Sequence, residues 1–484
     1  MINKVSIFFL QKIKILIFTA VALLLSPIAM AQMPHISTII VKDSLQNIVT
    51  KQHSKQGFDT AKINSILKKH ISDHADNGFP FARAVCDSVV IKNSDLKLYY
   101  SLSPGKLFKI ENIYIPVQSG ISTKYICRTV FMHKGTPFSQ RRLLKTDALI
   151  NNTGIIQSQR PTEVEFNNQG ADIYIYVQKL KSNSAEAGIA LMYNALTQKY
   201  YPTGNALLHL SNNFGKGECF DFEWHGYRQN SQKIFTEIRL PYIFNTAVTV
   251  AGSANINKTD SLCLNVSLRP ELDFAVTDIL SVKTDVQTNW LMPQNNDSTT
   301  GKTSSLLYGA DIQWLCASSH NTIKISTGAA IGTRKNNGEK FPCQELRLAL
   351  TYKQLITNKL ELIIHSRFQT KICSEETYIY EKYRFGGTST LRGFSENYFF
   401  ADSYAMMSNT LRYKPYGSLN IFGFYDIGTY SLNHSHDTPS GTGLGIGLTQ
   451  NNTSIDIAWA IGREYGATLP LKQAKIHLNI KVNF

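Results

Sequence analysis

The sequence predicts N-terminal α/β modules followed by a transmembrane antiparallel β-barrel of about sixteen strands. Three observations predict it. The chain ends in Ile476-His477-Leu478-Asn479-Ile480-Lys481-Val482-Asn483-Phe484, which alternates strictly. Ile476, Leu478, Ile480, Val482 and Phe484 share one face of a strand, and polar or charged residues share the other. Lipid outside, water inside and an aromatic at the interface require that pattern. Second, no internal stretch reaches the roughly 20 apolar residues of a spanning helix. Third, helical periodicity stops near Ser184 and turn signals recur from there to the end.

The first element is a leader. Lys4, Lys12 and Lys14 precede the apolar run 15–25, and Ala29-Met30-Ala31 follows. A basic start, an apolar core and a small-x-small site predict a secretory signal peptide over 1–31; a retained anchor is the alternative. The formal charge of +15 would suit nucleic acid, but export argues against that partner. A barrel lumen and lipid phosphates are the better uses for the excess cations. The seven cysteines are odd in number, and no pair has metal or redox spacing. Most of them are expected to be small packed residues.

Residues 34–105 and 106–181 predict two mixed α/β modules. In the first, 36–42 suits a strand, 58–70 a helix with Ile63, Ile66 and Leu67 on one side, and 81–90 and 96–102 strands. In the second, strand 108–115 leads to helix 123–133, a Gly135-Thr136-Pro137 break and helix 139–151. Strands near 162–166 and 171–178 complete it. The expected β-α-α-β-β order therefore occurs twice, about 70 residues apart.

From 184 to 484 we count sixteen candidate strands. The third spans 218–227, with Phe220, Phe222 and Trp224 opposite Asp221, Glu223 and His225. The eleventh spans 359–369. Short connections at 414–417 and 450–453 should be periplasmic; longer ones at 289–303 and 371–400 should be extracellular. A soluble sandwich or propeller is the alternative fold, which the leader and the terminal Phe484 disfavour.

Residues 384–394 read Arg-Phe-Gly-Gly-Thr-Ser-Thr-Leu-Arg-Gly-Phe. This run resembles the inward-folded sixth extracellular loop of the BamA/TamA outer-membrane assembly superfamily. Phe424-Tyr425-Asp426-Ile427-Gly428 resembles the strand on which that loop docks. Asn213–Glu218 followed by Leu240-Pro241 resembles the early-strand signature, and the Phe484 strand resembles the terminal recognition signal. The modules are similar to POTRA domains: Asn77-Gly78-Phe79-Pro80 with Ala82 in the first, and 108–115 with Lys134–Phe138 in the second. The resemblance implies an inward-loop motif of Gly386, Gly387, Leu391, Arg392, Gly393 and Phe394. It implies a lumen partner motif of Phe424, Asp426, Gly428 and Arg412.

The spacing agrees with that implication. Phe424, Asp426 and Gly428 share a face by period two, and a carboxylate on a strand belongs on the lumen side. Arg392 would meet it as a charge-assisted pair. Gly441, Gly443, Gly445 and Gly447 form a stripe that should leave room for the loop. One departure is Thr410-Leu411-Arg412, where the family often has Glu-x-Arg; Arg412 is then expected to lack a carboxylate.

The expected function is assembly or translocation of outer-membrane proteins. Unfolded clients would pair with module edges and then with the seam between the first and last strands. Outer-membrane lipid and unfolded clients are the expected partners, with periplasmic accessory proteins possible and no nucleic acid. No cofactor, metal or covalent chemistry is expected: there is no Gly-x-Ser-x-Gly elbow, and His434 with His436 suits a solvated loop. The rivals are a two-partner polypeptide transporter, a passive porin-like barrel, and an enzyme embedded in a barrel. A two-partner transporter should have a plug helix before the modules, for which 33–51 offers little.

Overall fold

The computed structural model describes residues 36–43, 48–54, 58–92, 95–115, 120–194, 199–228, 231–259, 262–294, 301–318, 320–387, 390–433, 435–450, 452–464 and 474–484. The predicted leader lies outside them. The chain divides into two compact units, one ending at Leu107 and the other running from Phe108 to Phe484.

The first unit holds β1 (Ile36–Asp43), β2 (Ile48–His53), helix α1 (Thr60–Asp76), β3 (Arg83–Lys92) and β4 (Asp95–Ser103). Asp59 starts α1 by accepting a hydrogen bond from the Lys62 amide at 2.6 Å. Ile63 of α1 packs into a core with Phe58, Ile39, Val41, Leu98 and Leu102. The sheet order is β2-β1-β4-β3, with β1 and β4 parallel. The expected β-α-α-β-β order is therefore corrected here. Among the described residues one helix follows two strands, because Ile48–His53 pairs back onto β1 rather than coiling.

The second unit begins with β5 (Ile110–Tyr114), α2 (Thr123–Thr129) and α3 (Gln140–Asn152). Strands β6 (Ile156–Ser158), β7 (Glu163–Phe166), β8 (Ala171–Tyr174) and β9 (Val177–Lys179) follow. Helix α2 stops at Thr129, short of the expected His133. Phe131 takes a left-handed conformation (φ 55°), so the helix cannot continue. Ile126, Val130, Phe138, Ile150 and Ile173 form its buried core.

The barrel begins with β10 (Ser184–Asn194), β11 (Lys199–Ser211), β12 (Cys219–Arg228), β13 (Ser231–Leu240), β14 (Val248–Thr259) and β15 (Cys263–Ala275). It continues through β16 (Leu280–Pro293), β17 (Thr303–Ala317), β18 (Asn321–Asn336), β19 (Glu339–Thr357) and β20 (Leu360–Cys373). A loop then carries the small hairpin β21 (Tyr383–Phe385) and β22 (Phe399–Ala401). The last strands are β23 (Ser403–Tyr416), β24 (Leu419–Leu432), β25 (Ser435–Asp437) with β26 (Ser440–Gln450), β27 (Thr453–Arg463) and β28 (Lys475–Asn483). β25 and β26 are two pieces of one strand along β24, and β28 closes on β10, giving sixteen antiparallel strands. Closure pairs the first strand with the last over Ser184–Ala187 and Ile480–Asn483.

Alternation holds in three dimensions. Ile476, Leu478, Ile480, Val482 and Phe484 are exposed on the outer wall, as are Leu346 and Leu348 of β19. The intervening Glu345 and Arg347 are buried in the lumen. The lumen is braced by ion pairs: Arg269 and Arg347 both reach Asp285 and Asp311, at 3.0 to 3.2 Å. One expected extracellular connection is shorter than predicted. β16 runs to Pro293 before the turn back to Thr303, so 289–293 is strand.

The barrel rim carries the second α/β module. Gly215 accepts from the Ser122 amide at 2.7 Å, the Tyr125 ring lies over Gly217, and Lys145 pairs with Asp278 at 2.8 Å. A side chain at Gly217 would overlap the Tyr125 ring, which explains this glycine in the turn. Burial pushes the Tyr125 phenol pKa up.

Two of the cysteines depart from the expectation. Cys343 and Cys373 are cross-strand partners on β19 and β20 and form a disulfide. Their Cα atoms are 4.1 Å apart, and the adjacent Ser374 amide donates to the Pro342 carbonyl. The cysteines therefore occupy a non-hydrogen-bonded pair, the closer class in an antiparallel ladder. Pairing across 30 residues depends on strand register, which cysteine spacing does not reveal.

Candidate functional site

The loop between β20 and β23 folds into the lumen. Gly386 (φ 114°), Gly387 (φ 99°) and Gly393 (φ 95°) all take conformations that side chains resist. At Gly393 there is a second reason: a Cβ would lie 2.5 Å from the Gly462 amide nitrogen on β27. Leu391 is fully buried, and Phe394 packs with Phe385, Phe399, Tyr404 and Met406. The Phe385 ring stacks on Tyr404 at 5.0 Å, which ties the loop hairpin to the barrel wall. Gly428 faces the Phe385 ring, with which an added Cβ would make only ordinary contact at 3.8 Å.

At the loop tip Arg392 meets Asp426 of β24. Its Nε donates to Asp426 Oδ2 at 2.7 Å and its Nη2 to Oδ1 at 2.6 Å, a fork-to-fork pair. The Arg392 amide adds a third bond to Oδ2 at 3.1 Å. Asp426 is 0% exposed, so all of its hydration has been exchanged for these contacts. Ser408 of β23 completes the set, accepting from Arg392 Nη2 (2.8 Å) and donating to Asp426 Oδ1 (2.7 Å). Phe424 lies under the guanidinium, 3.8 Å from ring centroid to Cζ. The structure thus brings Arg392, Asp426 and Phe424 together, with Gly393 beside them. It adds Ser408, which the sequence reading missed because only the register Ser408–Asp426 places it there.

The glycine stripe divides its work. A side chain at Gly441 would overlap the Arg392 carbonyl oxygen, so this residue admits the loop as expected. Gly443 and Gly445 instead make room for the rings of Phe424 and Phe422. Gly441→Val should therefore unseat the tip, because the backbone it strikes cannot rotate away. Protease added to intact cells should cut the loop in this variant, while Gly252→Ala, whose new Cβ meets nothing within 4 Å, should leave it protected.

Arg412 is not part of this cluster, and the expectation that it lacks a carboxylate is corrected. Its partner comes from the neighbouring strand: Glu361 of β20 is its register partner and lies 3.7 Å away. Lys414 reaches the same carboxylate at 3.4 Å.

A second anchor holds the rising limb of the loop, and the sequence reading missed it. Arg334 of β18 is 0% exposed. Its Nε donates to both oxygens of Glu381 (2.9 and 3.2 Å), its Nη2 to Oε2 at 2.7 Å, and its Nη1 pairs with Glu375. Thr303 donates to Glu381 at 2.9 Å and Asn336 to Glu375 at 2.9 Å. The Cys343–Cys373 disulfide lies at the foot of this limb. Gly386 and Gly387 therefore separate two anchored segments.

Among the described residues no cluster of three or more His, Cys, Asp or Glu side chains could hold a metal; His434 lies outside them.

The family model for haemolysin secretion/activation proteins ShlB/FhaC/HecB matches residues 295–450, which contain the loop, Ser408 and Asp426. CdiB from Escherichia coli has the same fold over 95% of this chain and 93% of its own, with TM-score 0.62 and 11% identity. CdiB from Acinetobacter baumannii matches over 100% of both chains, with TM-score 0.59 and 14% identity. The chain shares the fold of these barrel proteins. BamA from Haemophilus ducreyi lacking POTRA domains 1-3 aligns with 89% of this barrel protein and 94% of its own chain, at TM-score 0.44 and 11% identity. No curated protein matches the sequence.

Proposed function

We propose that this barrel translocates a partner polypeptide across the outer membrane, with the loop around Arg392 as the element that closes its lumen. The observation that carries the reading is the secretion/activation family match, which runs from β17 to β26 and includes the loop and its docking strands. The end-to-end likeness to CdiB in fold supports it. This moves the two-partner reading ahead of general assembly. On this view residues 1–31 direct export and are removed. The α/β units at 34–105 and 106–181 act as POTRA-type modules in the periplasm, where the unfolded client arrives. The β3 edge of the first unit, with Val85, Val89 and Val90 exposed, offers such a client an unpaired strand. Translocation of this kind makes and breaks no covalent bond, so no residue is assigned a catalytic role.

A second reading, insertion of other barrels through the seam, is favoured by one feature. Pairing of β10 with β28 runs only from Ser184–Asn483 to Ala187–Ile480, whereas β10 pairs with β11 over its whole length. Among the described residues 475–479 have a strand partner on one side alone. Exchange of one set of backbone hydrogen bonds for another is possible there without an energy source.

Depletion of the protein in its native cell, followed by proteomics of the purified outer membrane and the medium, separates the two. Translocation predicts loss of one exported polypeptide with other barrels unchanged. A fall in many barrel proteins would replace it with the assembly role.

A further inference from the structure

The rim turn between β13 and β14 has an unusual shape. Tyr242 (φ 54°, ψ 44°) and Phe244 (φ 50°, ψ 26°) both take left-handed conformations, which bulky residues rarely adopt. Strain of this kind persists when each side chain has a place to go. Tyr242 has one: its ring meets Tyr125 of the second module, with centroids 5.6 Å apart. Among the described residues Phe244 has none, and it is 93% exposed.

Its neighbours indicate what it meets. Ile238 and Leu240 are exposed on the outer wall of β13, and Leu272, Phe274 and Val276 on that of β15 and the turn after it. Val248 pairs with Phe274, so the two turns are adjacent on the rim. Phe244 thus follows directly below an apolar wall that the acyl chains already cover. Aromatic rings concentrate at that level, where an apolar body meets the headgroups.

We propose that Phe244 inserts into the periplasmic leaflet of the outer membrane as a phospholipid-contacting anchor. The partner is the boundary between phospholipid headgroup and acyl chain. The same turn holds the second module through Tyr242, so one device seats the barrel in the leaflet and the module against the rim. The proposal rests on the outer-membrane reading and adds a specific lipid contact to it.

The test is Phe244→Trp in the full chain, reconstituted in phosphatidylcholine vesicles with bromine at the 6,7 position of one acyl chain. Native Trp290 and Trp459 lie exposed on the outer wall and are the internal control. We expect the emission added by Trp at 244, over the parent, to be quenched by about half or more. Quenching of the native tryptophans without quenching of the added one would overturn the anchor and leave the outer-membrane reading intact. No quenching of any tryptophan would overturn both. In cells, p-benzoylphenylalanine in place of Phe244 should form lipid adducts on irradiation; adducts to protein alone would identify a protein-docking turn and reject the anchor.

Discussion

Asp426→Ala should release the loop tip and lower the stability of the loop-docked state by about 3–5 kcal/mol, the range for breaking a buried ion pair on one side. The magnitude follows from burial. Asp426 is 0% exposed, and its removal strips Arg392 of both side-chain bonds to the carboxylate and of one backbone bond. Arg392→Ala should have a similar effect, because it leaves a buried carboxylate with only the Ser408 hydroxyl and the backbone amide at 392 as donors, and no countercharge. Ser408→Ala should cost only about 1 kcal/mol, since it removes hydrogen bonds and leaves the ion pair. The folded barrel should migrate faster than the boiled protein on gels in every variant. The shift should be lost at a lower temperature for the two charge variants, and open-channel conductance in planar bilayers should rise. The double variant decides the interpretation: if Arg392 and Asp426 act as one unit, it adds little beyond either single change. Fully additive defects would mean that the pair is not the clamp.

A disulfide placed across the seam should separate translocation through the lumen from insertion through the wall. Phe484 donates its amide to the Asn183 carbonyl, so Glu186 and Lys481 fall at a non-hydrogen-bonded pair, the class that the native Cys343–Cys373 bridge occupies. Glu186→Cys with Lys481→Cys removes one ion pair of 3.6 Å in which Lys481 is well exposed, a loss of under about 1 kcal/mol. On the proposed function the locked barrel should still export its client, because the route lies through the lumen. On the insertion reading locking should abolish activity, and a reductant should restore it. The parent treated with the same reductant controls for loss of the native bridge.

The two anchors make the loop asymmetric. Its rising limb is fixed by Arg334, Glu381, Glu375 and the disulfide, and its tip by Arg392 with Asp426. Gly386 and Gly387 are the joint between them, with backbone angles that other residues resist. Motion of the tip requires the Arg392 clamp to open and Leu391 and Phe394 to leave their packing, and the clamp is the charged part of that set.

The sequence by itself determined the barrel, its strands and the inward loop. Period-two alternation reports which side of a strand meets lipid, and that is a local property, legible in 476–484 and in Phe424, Asp426 and Gly428. The glycines of the loop were picked out by the family resemblance, and in the structure each takes a left-handed backbone. The tertiary structure decided everything that depends on register. Ser408 beside Asp426, Glu361 beside Arg412, Cys343 bonded to Cys373, and Arg334 buried against Glu381 all join residues from different strands or from a strand and the loop. A slip of one residue between strands would break each of these pairs and leave the alternation within each strand unchanged. Register is set by closure of the whole barrel, so no single segment of the sequence records it.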